Sequence, residues 1–138
     1  MKNKRWLYLL FPISALTLEM LPYGAALNFM LPSMTEGEPA RRFRELYSYF
    51  DLMPFGYGNF APLFTAVLTV ITAILLAIYC VSGKTGLLRS IAMVSGIAVI
   101  VSLCPLCLGV HFYSVVGGLI TLCLAAQWLV CIKAIKSK

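Results

Sequence analysis

The stretch "PLFTAVLTVITAILLAIYCVS", residues 62–82, decides the fold class of this chain. It carries no charged residue and matches the roughly 20 residues that a helix needs to cross a hydrocarbon core of ~30 Å. Three further apolar runs are long enough to do the same, and they cover residues 6–31, 88–110 and 113–132. The sequence therefore predicts an all-α integral membrane protein, a single membrane domain built as a bundle of four transmembrane helices.

The composition excludes an ordinary soluble domain. Of the 138 residues, 61% are hydrophobic and only 12% are charged, about half the charged fraction of a typical soluble protein. The formal net charge of +6 does not indicate nucleic-acid binding, because the basic residues flank the apolar runs instead of forming one patch. We therefore expect the lipid bilayer as the partner of this chain, and no nucleic acid.

The flanking charges also predict the orientation. Lysines and arginines precede the first run, separate the second from the third, and follow the fourth, a distribution typical of cytoplasmic segments. The interpretation is a multi-pass protein with both termini in the cytoplasm and residues 32–60 outside. A cleaved signal peptide is the alternative for the first run, because "YGAA" at 23–26 offers small residues near a plausible cleavage point.

Glu19 is the only acidic residue inside an apolar run. A charged side chain at membrane depth costs about 2.5–3.5 kcal/mol on insertion scales, so such residues are functional candidates. Tyr23 follows at i+4, within hydrogen-bonding reach on a continuous helix, and Pro22 favours a kink or a break. Two interpretations stay open: an ion or proton site beside a broken helix that continues towards Leu31, or a helix that ends near Met20 with Glu19 at the outer interface.

The outer segment carries a helical pattern at residues 35–50. Its apolar residues recur at i, i+3, i+4 and i+7, and Thr35 and Glu38 have the spacing of a capping box. An apolar stripe beside a basic face predicts a helix that lies in the membrane interface. The arginines of that face favour contact with lipid headgroups, and an anion or phosphate site is the alternative.

An aromatic, glycine-rich loop completes the outer segment before the second long run. "LMPFGYGNF" at 52–60 repeats the order of proline, aromatic, glycine and Asn-Phe found in "MLPYGAALNF" at 20–29. We interpret the two as similar turns that pack together. The stretch 48–62 is then the end of the interfacial helix plus an aromatic turn that covers the outer mouth of the bundle and packs against residues 21–29 and against Glu19. The candidate binding residues of this outer site are Glu19, Tyr23, Asn28, Arg41, Arg44, Asp51, Tyr57 and Asn59.

The patterns "LPYGAALNF", "SYFD" and "PFGYGNFAP", followed by a threonine-rich helix, resemble an uncharacterised group of small four-helix membrane proteins of low-GC Gram-positive bacteria. The resemblance covers roughly residues 18–75. It implies a four-span architecture and a location in the bacterial cytoplasmic membrane, and it carries over no catalytic residue.

"CPLC", from Cys104 to Cys107, has the C-x-x-C spacing that allows a reversible disulfide. Membrane thiol oxidoreductases of the disulfide-bond-forming and vitamin K epoxide reductase families need a second cysteine pair in an outer loop, and residues 32–60 contain none. The competing interpretation is that these cysteines are small apolar residues that fill space between packed helices. His111 and two thiols make an incomplete zinc set, so we expect no metal and no other cofactor.

Small and hydroxylated residues indicate where the helices pack. Thr65, Thr69 and Thr72 share one face of the second long run, and Ala92 with Gly96 forms a small-xxx-small pair. A polar transport path along the threonines is the alternative interpretation of that face.

Three functions follow from these patterns. The first is a non-enzymatic partner subunit or self-assembling membrane component. The second is a small transporter or channel-like protein, an oligomer centred on Glu19 and the threonine face. The third is a thiol oxidoreductase that uses Cys104 and Cys107.

Overall fold

The computed structural model describes residues 3–31, 41–52 and 59–137. The described chain is mostly helical and contains one small antiparallel sheet. The elements, in chain order, are helix α1 (Asn3–Trp6), a 3₁₀ turn (Leu7–Leu9), α2 (Leu10–Glu19), strands β1 (Ala25–Leu31) and β2 (Arg41–Tyr47), α3 (Ala61–Ser82), α4 (Gly86–Leu103), α5 (Pro105–Leu108), a second 3₁₀ turn (Val110–Phe112) and α6 (Val115–Lys136).

Three helical segments are long and apolar enough to cross a membrane, by length and composition: Ala61–Ser82, Gly86–Leu108 and Val115–Lys136. They match the three later runs of the sequence to within a few residues. The fourth apolar helix, Leu7–Glu19, is shorter. At ~1.5 Å per residue it extends about 20 Å, less than the ~30 Å hydrocarbon core.

The first helix ends at Glu19, as the interpretation with a stop near Met20 predicted. Its extension to Leu31 is wrong, because residues 25–31 form strand β1. Pro22 follows the helix end closely and has no amide hydrogen to continue the helical hydrogen bonding. The backbone of β1 is instead hydrogen-bonded to β2, at residues 41–47.

The interfacial helix predicted over residues 35–50 is also wrong where the structure describes it. Residues 41–47 form β2, which pairs antiparallel with β1 so that Phe29 lies opposite Phe43. The two rings stack with their centroids 5.2 Å apart, a cross-strand aromatic contact that stabilises the pairing. The capping box of Thr35 and Glu38 lies outside the described residues.

Each of the four longer helices packs against two others. α2 contacts α3 and α6, and α4 contacts the same two helices. One buried cluster lies towards the sheet and includes Tyr49, Ile120 and Leu124. A second lies towards the opposite end and includes Leu76 and Ile91.

The small-residue pair on α4 serves this packing. Ala92 is buried, and a Cβ added at Gly96 would lie 3.0 Å from Nε1 of Trp128 on α6. Close approach of α4 to α6 therefore depends on the missing side chain at Gly96.

The hairpin of β1 and β2 covers one end of the helices. Ala25 forms an isolated antiparallel bridge with Tyr113, and the Ser114 hydroxyl donates a hydrogen bond to the carbonyl oxygen of Gly24. Ala25, Ala26 and Leu27 are buried as a result. The outer segment of the sequence is thus docked onto the connection between α4 and α6.

Candidate functional site

Glu19 lies at the C-terminal end of α2 and is completely buried. Its Oε1 accepts a hydrogen bond from the Thr69 hydroxyl of α3, at 2.7 Å. Its Oε2 is also buried and makes no hydrogen bond to the described residues. A buried carboxyl group with one satisfied oxygen and one orphaned oxygen is uncommon in proteins, and together with its position at the end of an apolar helix it marks Glu19 as a functional candidate.

Thr69 has two acceptors within reach of its single hydroxyl hydrogen. Besides Glu19 Oε1, the carbonyl oxygen of Thr65 lies 2.9 Å from Thr69 Oγ1. When Glu19 is ionised, the hydroxyl donates to the carboxylate. When Glu19 is protonated on Oε1, the carboxyl group donates to Thr69, and Thr69 donates to the Thr65 carbonyl. The same geometry therefore supplies a hydrogen-bond partner for both protonation states.

The three threonines of α3 form one buried polar stripe. Thr65, Thr69 and Thr72 are all fully buried, as their shared helical face predicted. The Thr65 hydroxyl bonds back to the carbonyl of Ala61 at 2.8 Å, whereas Thr72 Oγ1 has no partner among the described residues. Thr72 follows Thr69 by about 4.5 Å along the helix axis, so the stripe extends from Glu19 towards the middle of α3.

Residues 48–51 dock onto the backbone of Glu19. The amide of Tyr49 donates to the Glu19 carbonyl oxygen at 3.0 Å, and the Ser48 hydroxyl donates to the same oxygen at 2.9 Å. Asp51 Oδ2 accepts from the Ser48 amide at 2.7 Å and closes the turn. A carbonyl that the end of α2 would leave unpaired is thereby satisfied twice.

The Tyr49 side chain fills the space that two glycines leave open. Its Cδ1 would lie 2.8 Å from a Cβ at Gly24, and its hydroxyl would lie 3.2 Å from a Cβ at Gly117 on α6. Tyr49 is 2% exposed, and this burial raises the pKa of its hydroxyl above the ordinary tyrosine value. The ring therefore joins the outer segment to the bundle as a neutral, tightly packed group.

A second set of hydroxyl groups lies between α4 and α6. Thr121 is hydrogen-bonded to Ser102 and, at 2.6 Å, to the Tyr113 hydroxyl. Thr121 also donates to the carbonyl of Gly117 at 2.9 Å. Among the described residues, no hydrogen bond joins these groups to Glu19, and the Glu19 carboxyl group is hydrogen-bonded only to Thr69.

The structure brings only some of the predicted outer-site residues together. Asp51 is linked to Glu19 through Ser48, whereas Tyr23 is 56% exposed and its predicted hydrogen bond to the Glu19 carboxyl group is not formed. The physical reason is the end of α2 at Glu19, which removes the helical i+4 relation that would place Tyr23 beside the carboxyl.

Asn28 and Arg44 form a separate group at the hairpin. They are register partners in the sheet, and their side chains donate to the backbone carbonyls of His111 at 3.3 Å and Tyr113 at 3.0 Å. Asn59 is buried, and its Nδ2 has no partner among the described residues.

Two predicted site residues, Arg41 and Tyr57, have side chains outside the described residues. Arg41 begins β2, whereas the whole of Tyr57 lies outside them.

Sequence reasoning found Glu19 and the threonine face separately but did not pair Glu19 with Thr69. The stretch 48–62 was predicted to pack against Glu19, but the hydrogen bonds from Ser48 and Tyr49 to the Glu19 carbonyl oxygen were not, because these two residues were assigned to the end of an interfacial helix. The available clue was "SYFD" itself. Asp51 lies three residues after Ser48, a spacing at which an aspartate side chain can accept a backbone amide hydrogen bond and close a turn.

The five cysteines are free thiols. Cys104 and Cys107 are exposed, at the end of the molecule that carries the hairpin, and Cys80 and Cys131 are buried towards the opposite end. The redox hypothesis stays a prediction. Among residues 3–31, 41–52 and 59–137, no group of three or more histidine, cysteine or acidic residues is placed to hold a metal ion.

No protein-family model matches the chain, and comparisons with curated proteins and with solved structures give no match either, so the resemblance to a bacterial membrane protein group stays a prediction.

Proposed function

We propose that this chain is a small, non-enzymatic multi-pass protein of a bacterial cytoplasmic membrane that binds and releases a proton at Glu19, as part of a transporter or channel-like function. The observation that carries the proposal is the shared Thr69 hydroxyl, which can serve Glu19 in its ionised and its protonated form. Ionisable groups that face the interior of a helical bundle are typical of proton relays and ion pathways in membrane proteins.

The charge distribution at one end of the molecule supports the membrane orientation in this proposal. The Arg5 guanidinium lies over the Tyr79 ring, 5.6 Å from its centroid, near the C-terminal end of α3. Arg89 and Ile135 line one cavity, so the end of α6 with its basic residues lies at that same end. Positive charge gathered at one end of the helices is typical of the cytoplasmic side.

With this orientation, α2 is the fourth membrane segment and Glu19 lies towards the outer surface. Residues 48–51 and the hairpin then cover Glu19 from outside, and the threonine stripe of α3 continues inward from it. The Ser48–Asp51 turn is hydrogen-bonded to the Glu19 backbone, so it is placed to cover the carboxyl group on this side. We propose that this turn controls access to the carboxyl group.

Proton uptake into liposomes that contain the purified protein tests the proposal, with an entrapped pH-sensitive dye as the reporter and a membrane potential as the driving force. The wild-type protein should acidify the lumen faster than protein-free liposomes do. Glu19→Gln should reduce the rate to that of protein-free liposomes, and Glu19→Asp should retain a part of it.

Glu45→Gln is the matched control, because it removes an exposed carboxyl group whose Oε2 is bonded to the Tyr47 hydroxyl at 2.6 Å. It should leave the flux unchanged. Equal flux in the wild type and in Glu19→Gln, with equal amounts of protein inserted, would contradict the proposal.

The partner-subunit hypothesis concerns assembly and is compatible with a proton site at Glu19. Native mass spectrometry of protein extracted from its own membrane would test it by reporting stoichiometry and co-purifying chains. A homo-oligomer or a stable complex supports it, and a bare monomer counts against it.

A further inference from the structure

A second site lies on the hairpin, away from Glu19. A cavity of about 530 Å³ opens between one face of the sheet and the 3₁₀ turn at Val110–Phe112. Its lining includes Arg42 and Arg44, together with the apolar side chains of Met30 and Phe112. The volume is within the range of small-ligand sites in proteins.

The strand alternation separates the charges of β2 between the two faces of the sheet. Side chains alternate along a strand, and the register pairs Met30 with Arg42 and Asn28 with Arg44, so these four share the cavity face. Glu45 points to the other face, where its carboxylate accepts a hydrogen bond from the Tyr47 hydroxyl. The described lining residues include two arginines and no acidic residue, so these residues give the cavity a positive potential.

Hydrogen bonds hold the two walls of the cavity together. Asn28 Nδ2 donates to the His111 carbonyl at 3.3 Å, and Arg44 Nη2 donates to the Tyr113 carbonyl at 3.0 Å. Arg44 uses one nitrogen in this contact, and a guanidinium has five N–H donors, so others are left for a ligand. Arg42 is also exposed.

We propose that this cavity binds the phosphate headgroup of an anionic membrane lipid. Arg42 and Arg44 supply the guanidinium groups that suit phosphate oxygens, and Met30 and Phe112 offer apolar surface to the lipid chains next to the headgroup. The hairpin covers one end of the apolar helices, where headgroups of the bilayer lie. The inference does not depend on proton binding at Glu19.

Native mass spectrometry tests this with purified protein in micelles that contain equal amounts of phosphatidylglycerol and phosphatidylcholine. The wild type should retain phosphatidylglycerol preferentially. Arg42→Gln should lower that preference about fivefold, the effect of one basic residue near an anionic headgroup, and Arg42→Lys should lower it less. Because Arg42 is exposed, the thermal stability of these variants should equal that of the wild type.

Lys136→Gln, in the last turn of α6, is the control with the same change in charge. It should keep the wild-type preference. Equal losses in Lys136→Gln and Arg42→Gln, or no preference for phosphatidylglycerol in the wild type, would overturn the proposal. Displacement of the lipid by millimolar inorganic phosphate would assign the site to soluble phosphate compounds and overturn the lipid assignment.

Discussion

Thr69 Oγ1 and Glu19 Oε1 are 2.7 Å apart, although 50 residues separate them in the sequence. The contact joins the end of α2 to the buried face of α3. It gives the only acidic group within the apolar helices a hydroxyl partner, and it leaves Glu19 Oε2 buried without one among the described residues.

Thr69→Val should destabilise the protein by about 1–3 kcal/mol, because it keeps the shape of the side chain and leaves Glu19 Oε1 without its buried donor. Thr69→Ser keeps the hydroxyl and should cost less. Thr17→Val is the control, since Thr17 is exposed on α2 and its one hydrogen bond within the described part of the chain goes to the carbonyl of Ile13. Thermal unfolding in detergent measures all three, and equal stability of Thr69→Val and Thr17→Val would contradict the assigned role of Thr69.

Gly24→Ala should destabilise the docking of the outer segment by about 1–3 kcal/mol, a typical cost of overpacking. The added methyl group would lie 2.8 Å from Tyr49 Cδ1 and would displace the ring. Gly86→Ala is the matched control, because a Cβ there meets nothing within 4 Å. Limited proteolysis of the outer segment should speed up in the first variant only, and unchanged proteolysis of Gly24→Ala would argue against the buried position of Tyr49.

Tyr49 should make stability fall at high pH. Its pKa is raised in the folded protein by burial, so its contribution to stability is complete below the unfolded tyrosine pKa of ~10 and decreases as the pH rises above it. Tyr49→Phe should lessen this alkaline loss. Ultraviolet titration of phenolate should show that a late-titrating tyrosine of the wild type is lost in Tyr49→Phe, and an unchanged late phase in that variant would contradict the assignment.

Gln127→Met should leave stability unchanged or raise it. Gln127 is fully buried, and its Nε2 donates to Cys131 Sγ at 3.1 Å, whereas its Oε1 has no partner among the described residues. Methionine of similar shape removes the orphaned oxygen at the cost of one weak hydrogen bond. The melting temperature in detergent measures the change, and a loss of more than about 2 kcal/mol would indicate a partner that the described contacts do not include.

The sequence predicted the three long helices closely, because an uninterrupted apolar length is decided by local composition. The end of α2 at Glu19 was one of two interpretations, since Pro22 is compatible with a kink and with a stop. The prediction that the first helix continues to Leu31 was wrong, because the apolar segment "LNFML" is compatible with a helix and with a strand. The strand that pairs with it lies beyond residue 40, so local sequence does not reveal it.

The pattern of β2 misled for a related reason. Phe43, Leu46 and Tyr47 have helical spacing, yet in the strand Phe43 and Tyr47 share one face and Leu46 lies on the other. The pairing of Phe43 with Phe29 is a long-range contact that local periodicity does not report. The same limit applies to the site, since nothing near Glu19 in the sequence indicates Thr69 as its partner.

Infrared difference spectroscopy of the carboxyl group at Glu19 is the most direct test of proton binding there. Spectra recorded between acidic and alkaline pH should contain a carboxylic-acid carbonyl band that is absent from Glu19→Gln, shifted in frequency in Thr69→Val, and unchanged in Glu45→Gln. That result would establish a proton that exchanges at Glu19 and is hydrogen-bonded to Thr69. Identical pH-dependent carboxyl bands in the wild type and Glu19→Gln would contradict the account, because Glu19 would then keep one protonation state throughout.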